Sequence, residues 1–159
     1  MKNPVVILAL LVAASVFGDS TSSNVTVRLG PVSVLGTHTN MWFDCDVTIN
    51  NQTRVPLAVT NLFVRSPGLA LKITDLDNKE LKRTYAWPLK SWEWTHAPGS
   101  QKEFKRLGYG AKPGRDGKVL GISLPETVKT VRLQIEGTLS GSSYSDGITS
   151  NVVEVKIPQ

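Results

Sequence analysis

Residue types that carry catalysis are sparse in this chain. Histidine occurs twice, at His38 and His96, and cysteine once, at Cys45. A structural zinc site takes four Cys or His ligands, and a cysteine hydrolase needs a thiolate beside a histidine. The two histidines fall in separate predicted loops and Cys45 falls on an apolar strand face, so neither arrangement is predicted. We therefore expect no catalytic residue, no metal site and no cofactor; an enzyme would need His38 and His96 to converge in space.

Two groups of acidic residues have a spacing that could support chemistry. Asp44 and Asp46 share one face of a predicted strand, roughly 7 Å apart, which suits either a pair of catalytic carboxylates or an ordinary solvated face. Asp75, Asp77 and Asn78 crowd one turn and could hold a calcium ion. The later glycine and glutamate of an EF-hand loop are missing, so a plain hairpin turn is the favoured interpretation.

The candidate binding surface is aromatic and basic. Its residues are Tyr85, Trp87, Lys90, Trp92, Trp94, Lys105, Arg106 and Tyr109. Exposed aromatic rings stack on sugars or on partner side chains at a low entropic cost. The alternative is that the rings close one end of a hydrophobic core, because tryptophan is usually well buried.

Positive charge is concentrated around the same segment. Between Lys72 and Lys118 there are 11 basic and 6 acidic residues, a net charge of +5, and the whole chain also has a formal charge of +5. Such a surface favours an anionic partner, either a protein or an anionic glycan or cell-envelope component. The alternative is a solvated face. Nucleic acid is not expected, because the chain is predicted to be secreted.

The element that must position these residues is a central strand at 41–49. Met41, Phe43, Cys45, Val47 and Ile49 alternate with polar or amphipathic residues. A period of two puts the five apolar side chains on one face of a strand, whereas a helix would spread them around its circumference. The pattern predicts a sheet with one dry and one wet face.

Other segments repeat this alternation, separated by turn residues. Apolar side chains recur at every second position in 25–29, 69–73, 131–135 and 153–157. We expect the core to come from the odd positions of 41–49, 69–73, 131–135 and 153–157, with Phe104 and Leu107 as further core candidates. Gly30-Pro31 predicts a break or a bulge in the first strand, and Pro31 predicts that this is an edge strand or a strand that switches sheets. The four glycines of 108–117 predict the longest loop. About seven to nine short strands with no helix predict an all-β, antiparallel, immunoglobulin-like β-sandwich.

Three pieces of sequence carry a resemblance to known domains. They are Asp46–Thr53 with Pro56 after it, Leu71–Leu81, and Pro98-Gly99-Ser100 leading to Phe104. Their order resembles bacterial immunoglobulin-like domains, namely the intracellular proteinase inhibitor family of Bacillus type and the prodomains of deuterolysin metalloproteases. The resemblance covers roughly residues 40–110 and implies a sandwich fold. It also implies proteinase inhibition as one candidate function.

The N-terminal residues predict export. Lys2 precedes an apolar run from Val5 to Ala14, which is shorter than the roughly 20 residues that span a bilayer. We expect a signal peptide at 1–18, cleaved after Gly18 or alternatively after Ser15. Residues 19–24 then form a flexible tail and 25–159 one domain, secreted to the periplasm or the extracellular space, with no transmembrane segment. A secreted domain with a single cysteine weakly favours a bacterial source.

These observations predict a non-catalytic binding or interaction module that uses the aromatic and basic surface. The alternatives are a proteinase inhibitor that presents an exposed loop and a glycan-binding module. Asn24 and Asn51 each begin a glycosylation motif, Asn-X-Thr, which matters only in a eukaryotic source. The sequence leaves the ligand and the oligomeric state open.

Overall fold

The computed structural model describes residues 25–54, 57–60, 69–87, 93–141 and 144–158. Of residues 57–60, 87, 93–96, 113, 139–141 and 144–146 it describes the backbone alone. The predicted signal peptide at 1–18 and the predicted tail at 19–24 lie outside the described residues.

The described residues form strands and connecting turns. In chain order the strands are β1 (Val25–Thr37), β2 (Asn40–Asn51), β3 (Leu57–Thr60), β4 (Ala70–Thr74), β5 (Glu80–Thr84), β6 (Ala86–Trp87), β7 (Glu93–His96), β8 (Ser100–Tyr109), β9 (Lys112–Pro113), β10 (Val119–Leu120), β11 (Thr130–Gly141), β12 (Tyr144–Thr149) and β13 (Val153–Lys156). No described segment is a helix long and apolar enough to cross a membrane.

The central strand predicted at 41–49 is β2. Met41, Phe43, Cys45, Val47 and Ile49 are all 0% exposed, and the residues between them are half-buried. β2 lies between β1 and β8 in an antiparallel four-stranded sheet of order β1-β2-β8-β6. Strand β1 is at the edge of this sheet and changes register between Leu29 and Val32, so the edge strand and bulge predicted from Pro31 are confirmed.

The second sheet is built on the long strand β11. One edge of β11 pairs with β4, which pairs in turn with β5. The other edge of β11 pairs with β13 along its first residues and with β12 along its last. Between these two partners, the Ile135 N–H donates to the Ser150 hydroxyl at 2.8 Å, and the Ser150 N–H donates to the Ile135 carbonyl at 2.8 Å. Ser150 therefore carries the pairing across the gap between β12 and β13.

The two sheets share one apolar core. A single buried cluster contains Phe43 and Leu107 from the four-stranded sheet together with Leu71, Leu133 and Ile135 from the five-stranded sheet. Side chains from two sheet faces that pack into a common core make a β-sandwich. The predicted all-β antiparallel sandwich is confirmed, and the four and five strands of the two sheets agree with the predicted seven to nine.

The connection after β8 differs from the predicted loop. Residues 108–117 were expected to form one long loop, but β8 extends to Tyr109 and a short hairpin of β9 and β10 follows. After this hairpin, Met41 and Ile122 exchange two backbone hydrogen bonds, of 2.9 and 2.7 Å. The chain beyond β10 therefore occupies the place beside β2 that β8 has left.

Candidate binding surface

The aromatic segment begins beside β8. Backbone pairing of β6 with β8 places Ala86 opposite Tyr109 and Trp87 opposite Gly108. The ring of Tyr85 is half-buried. Lys90 and Trp92 lie outside the described residues, as do the side chains of Trp87 and Trp94. The structure thus places the start of the predicted surface on the same sheet edge as Lys105 and Arg106.

The structure corrects the assignment of Tyr109 to this surface. Tyr109 lies opposite Phe43 in the register of β2 and β8 and is 0% exposed. The alternation of β8 turns Leu107 and Tyr109 toward the core, so this ring cannot contact a partner at the surface. Burial raises the pKa of Tyr109 well above its ordinary value, and its hydroxyl has no hydrogen-bond partner among the described residues. The ring of Tyr109 therefore fills the hydrophobic core, which was the alternative to a surface role.

Lys105 and Arg106 form a β-bulge opposite Asp46. Cys45 pairs with Leu107 and Val47 with Phe104, so Lys105 and Arg106 together face the single residue Asp46. Arg106 has a φ of 50°, in the left-handed region that non-glycine residues rarely adopt. Its N–H donates to Asp46 Oδ1 at 2.9 Å, which fixes the bulge to the central strand.

Both side chains of the bulge project into solvent. The side chain of Lys105 is 62% exposed and that of Arg106 is 82% exposed. Lys105 Nζ lies 3.2 Å from Asp46 Oδ2 and also donates to Glu103, and Arg106 Nη2 lies 3.3 Å from Asp44 Oδ2. The hydrogen bonds to Glu103 and then to Asp46 raise the pKa of Lys105.

These ion pairs define the role of the two aspartates. Asp44 and Asp46 are half-buried on the outer face of β2, and each binds a cation from β8. A general acid and base must instead meet a substrate. The arrangement therefore positions an arginine and a lysine on the outer face of the sheet. The cationic partners are largely in water, where ion pairs are weak, so an anionic ligand can compete with the aspartates for them.

A second exposed feature is the hairpin tip, defined as residues 112–121. Val119 and Leu120 are 46% and 44% exposed, and Lys112, Arg115 and Lys118 around them are exposed as well. The amide of Asn40 braces the backbone on both sides of Leu120: its Nδ2 donates to Val119 O at 3.2 Å, and its Oδ1 accepts from the Gly121 N–H.

Sequence reasoning missed the hairpin tip. The loop predicted at 108–117 ends before Val119 and Leu120, and these two residues were not among the predicted surface residues. The sequence does contain a signal, because two aliphatic residues follow a turn that carries three cations.

The remaining candidate residues are in structural roles. Asp75 Oδ1 accepts from the N–H groups of Asp77 and Lys79, at 3.0 and 2.9 Å, so the predicted hairpin turn is confirmed. Asn51 is 0% exposed; its Nδ2 donates to Ala97 O at 3.2 Å, and its Oδ1 accepts from Thr53. In the folded protein the amide nitrogen of this glycosylation motif is thus enclosed.

His38 lies at the turn between β1 and β2. Its Nε2 is 3.0 Å from Val128 O, and with Thr37, Thr39 and Glu126 it lines an open cleft of about 360 Å³. The side chain of His96 is not among those described, so convergence of the two histidines stays untested. Within the described part of the chain, no three His, Cys, Asp or Glu side chains cluster closely enough to hold a metal ion.

The Cys45 thiol is buried in the core, and its Sγ lies 3.8 Å from the carbonyl oxygen of Phe43. Burial, with smaller contributions from Asp44 and Asp46, raises the pKa of this thiol far above its usual range. The sulfur is therefore protonated and unreactive in the folded protein.

Compared with protein-family models and with curated proteins, the chain matches none.

Proposed function

We propose that the protein is a non-catalytic binding module that holds an anionic partner against the outer face of β8. The observation that carries the proposal is the bulge at Lys105 and Arg106, which presents two exposed cations on a fixed backbone. The proposal includes secretion, supported by the apolar run and small residues of 1–18.

The conformation of Arg106 argues for a role beyond solvation. A non-glycine residue in the left-handed region carries strain of about 1 kcal/mol or more, and such residues concentrate at functional sites. A regular strand could expose a lysine and an arginine to water without this strain. The bulge instead brings two adjacent cations to one face, where a regular strand would send them to opposite faces.

The neighbouring segment supports an anionic glycan as the partner class. Strand β6 pairs with β8 at Gly108, two residues beyond Arg106. The aromatic segment that begins there is rich in tryptophan, the residue type that stacks on sugar rings. A ligand lying along this edge would meet cations that bind its carboxylate or sulfate groups, in the way arginine recognises such anions.

The geometry favours this module over an inhibitory loop. A protease pairs with the free backbone of an extended inhibitor segment. The exposed segment of the hairpin tip is paired with β9 on one side and braced by the Asn40 amide on the other. Its backbone therefore has little capacity left for pairing with an enzyme.

The test is affinity electrophoresis of residues 19–159 in gels that contain alginate, a polyuronate, or a neutral glucan. We expect alginate to retard the protein and the neutral glucan to leave its mobility unchanged. Lys105→Ser combined with Arg106→Gly should abolish most of the retardation, and glycine suits the left-handed φ at position 106, so the bulge is preserved.

A matched double variant controls for the loss of charge. Lys79→Ser combined with Lys82→Ser removes two exposed cations from the β4–β5 hairpin of the other sheet. After mobility is corrected for net charge, this variant should be retarded by alginate almost as much as the parent protein. Equal losses in the two double variants would show attraction by net charge alone and would overturn the proposal. If alginate does not retard the parent protein, the proposal that the partner is an anionic glycan is contradicted.

A further inference from the structure

We propose that the hairpin tip docks on the surface of an anionic lipid bilayer. The tip is separate from the bulge residues Lys105 and Arg106, so the inference is independent of the proposed glycan contact. It rests on the composition, exposure and fixed backbone of residues 112–121.

The composition of the tip is that of an interfacial membrane contact. Val119 and Leu120 are adjacent and nearly half exposed. Three exposed cations accompany them, at Lys112, Arg115 and Lys118, against one acidic residue, Asp116, which pairs with Lys118 at 3.3 Å. Aliphatic side chains that enter the headgroup boundary, surrounded by lysine and arginine that meet anionic headgroups, are the features of segments that lie on membranes.

Hydrogen bonds fix the backbone of the tip. The Gly114 N–H donates to Lys118 O at 2.5 Å and the Gly117 N–H to Gly114 O at 3.1 Å, which closes the turn. At the base, the Asn40 amide braces the backbone on both sides of Leu120, and Ile122 exchanges backbone hydrogen bonds with Met41. The exposed side chains are therefore presented without a further loss of backbone entropy on docking.

Other exposed apolar positions lack this combination. Leu76, 50% exposed, is the other large apolar side chain that stands out among the described residues. It lies in the β4–β5 turn between Asp75 and Asp77, and these carboxylates would be repelled by an anionic bilayer. Leu76 thus offers a control of similar size and exposure in an acidic setting.

The test is co-sedimentation of residues 19–159 with vesicles. This chain contains every described strand and leaves out the apolar run 5–14, which would bind lipid by itself. The probes are vesicles of phosphatidylcholine alone and vesicles in which phosphatidylglycerol replaces part of it. We expect binding to the anionic vesicles, little binding to the neutral ones, and release by salt.

Variants separate the tip from general attraction. Val119→Ser with Leu120→Ser should weaken binding to anionic vesicles by about tenfold, and Leu76→Ser should leave it unchanged. Thermal unfolding of both variants checks that each is folded. Three outcomes would overturn the proposal. They are no binding of the parent protein to anionic vesicles, a tip variant that binds as tightly as the parent, and equal binding to both vesicle types. If the parent protein does not bind anionic vesicles, the exposed residues of the tip would instead indicate a contact with a protein partner. Because the alginate experiment uses Lys105 and Arg106, either proposal can fail without the other.

Discussion

Asp46 illustrates how much one side chain organises on the wet face of β2. Both neighbouring strands bulge opposite it, β1 at Gly30 and Pro31 and β8 at Lys105 and Arg106. Pro31 predicts its bulge from the sequence, because proline has no backbone N–H to donate to the hydrogen bonds of a regular sheet. The second bulge has no such mark: it depends on a hydrogen bond from the Arg106 N–H to Asp46, 60 residues earlier in the chain. Sequence patterns could therefore identify the two cations as a candidate site but not their geometry.

A second residue-scale constraint lies at Gly121. A Cβ at this position would stand 2.5 Å from the backbone nitrogen of Met41 and 2.7 Å from the carbonyl carbon of Asn40. Backbone atoms of β2 cannot move aside as a flexible side chain would. We expect Gly121→Ala to lower the free energy of unfolding by about 2 kcal/mol or more, measured by urea denaturation.

The control for this prediction is Gly147→Ala. Gly147 is exposed, and a Cβ there would meet no atom within 4 Å. Its effect should stay within about 0.5 kcal/mol. If the two alanine variants unfold at the same urea concentration, the close approach of Gly121 to β2 is not a constraint on the fold.

At the scale of elements, asparagine side chains stand in for missing strand neighbours. Asn151 Oδ1 accepts from the Leu29 N–H at 2.8 Å, and its Nδ2 donates to Leu29 O at 3.0 Å, so one amide satisfies both backbone groups at the outer edge of β1. Asn40 does the same for the backbone around Leu120. A satisfied edge offers fewer free groups to another chain, which limits edge-to-edge association.

Removal of this edge cover should be measurable. Asn151→Ala deletes two hydrogen bonds to Leu29, and we expect a loss of about 1–2 kcal/mol in the free energy of unfolding, together with faster aggregation on prolonged incubation. Thr149→Ala, at an exposed position of the adjoining β12, should change stability by about 0.5 kcal/mol or less. An Asn151→Ala protein as stable as the parent would show that water replaces the amide without loss.

The elements themselves were largely predictable. Strands that bury one face, such as β2 and the first half of β11, show a clean period of two, and their core residues follow from it. The failures occur where the alternation is interrupted. Tyr109 continues the inward row of β8 beyond the bulge, and a bulge shifts the inward positions by one residue relative to an unbroken strand. Val119 and Leu120 have the composition of a core strand but are exposed, because β9 and β10 pair with each other in a separate two-stranded sheet.

At the scale of the whole molecule, the outer face of the five-stranded sheet is bound together by an ion-pair network. Glu136 on β11 lies 2.8 Å from Lys72 on β4 and 3.0 Å from Arg83 on β5, and Arg83 also binds Glu80 at 2.9 Å. Burial acts to raise the pKa of Glu136, but the hydrogen bonds from Lys72 and Arg83 outweigh it, so its pKa is lowered. The hydrogen bond from Arg83 lowers the pKa of Glu80.

The lowered pKa of Glu136 predicts a dependence of stability on acid. Because the folded state holds this carboxylate ionised below its unfolded pKa of about 4.3, its contribution is present above that pH and is lost as the pH falls through the folded pKa. Glu136→Gln should therefore be less stable than the parent by about 1 kcal/mol at neutral pH, and the difference should shrink as the pH falls through the lowered pKa of Glu136. Urea denaturation at several pH values measures it.

Glu126→Gln provides the comparison, since Glu126 is an exposed loop carboxylate. Its stability should follow that of the parent protein across the same pH range. A deficit in Glu136→Gln that persists unchanged in acid would mean that the glutamine disturbs packing, and that the network does not depend on charge.

The position of Cys45 has a consequence for chemical durability. A thiolate must attack peroxide or a small disulfide before cysteine is oxidised, and the protonated Cys45 sulfur, buried between two sheets, has neither the charge nor the access for that attack. A folded molecule is consequently protected against sulfenic acid formation and against cross-linking to another copy. Oxidation at Cys45 therefore requires unfolding, and the tertiary structure itself protects the thiol.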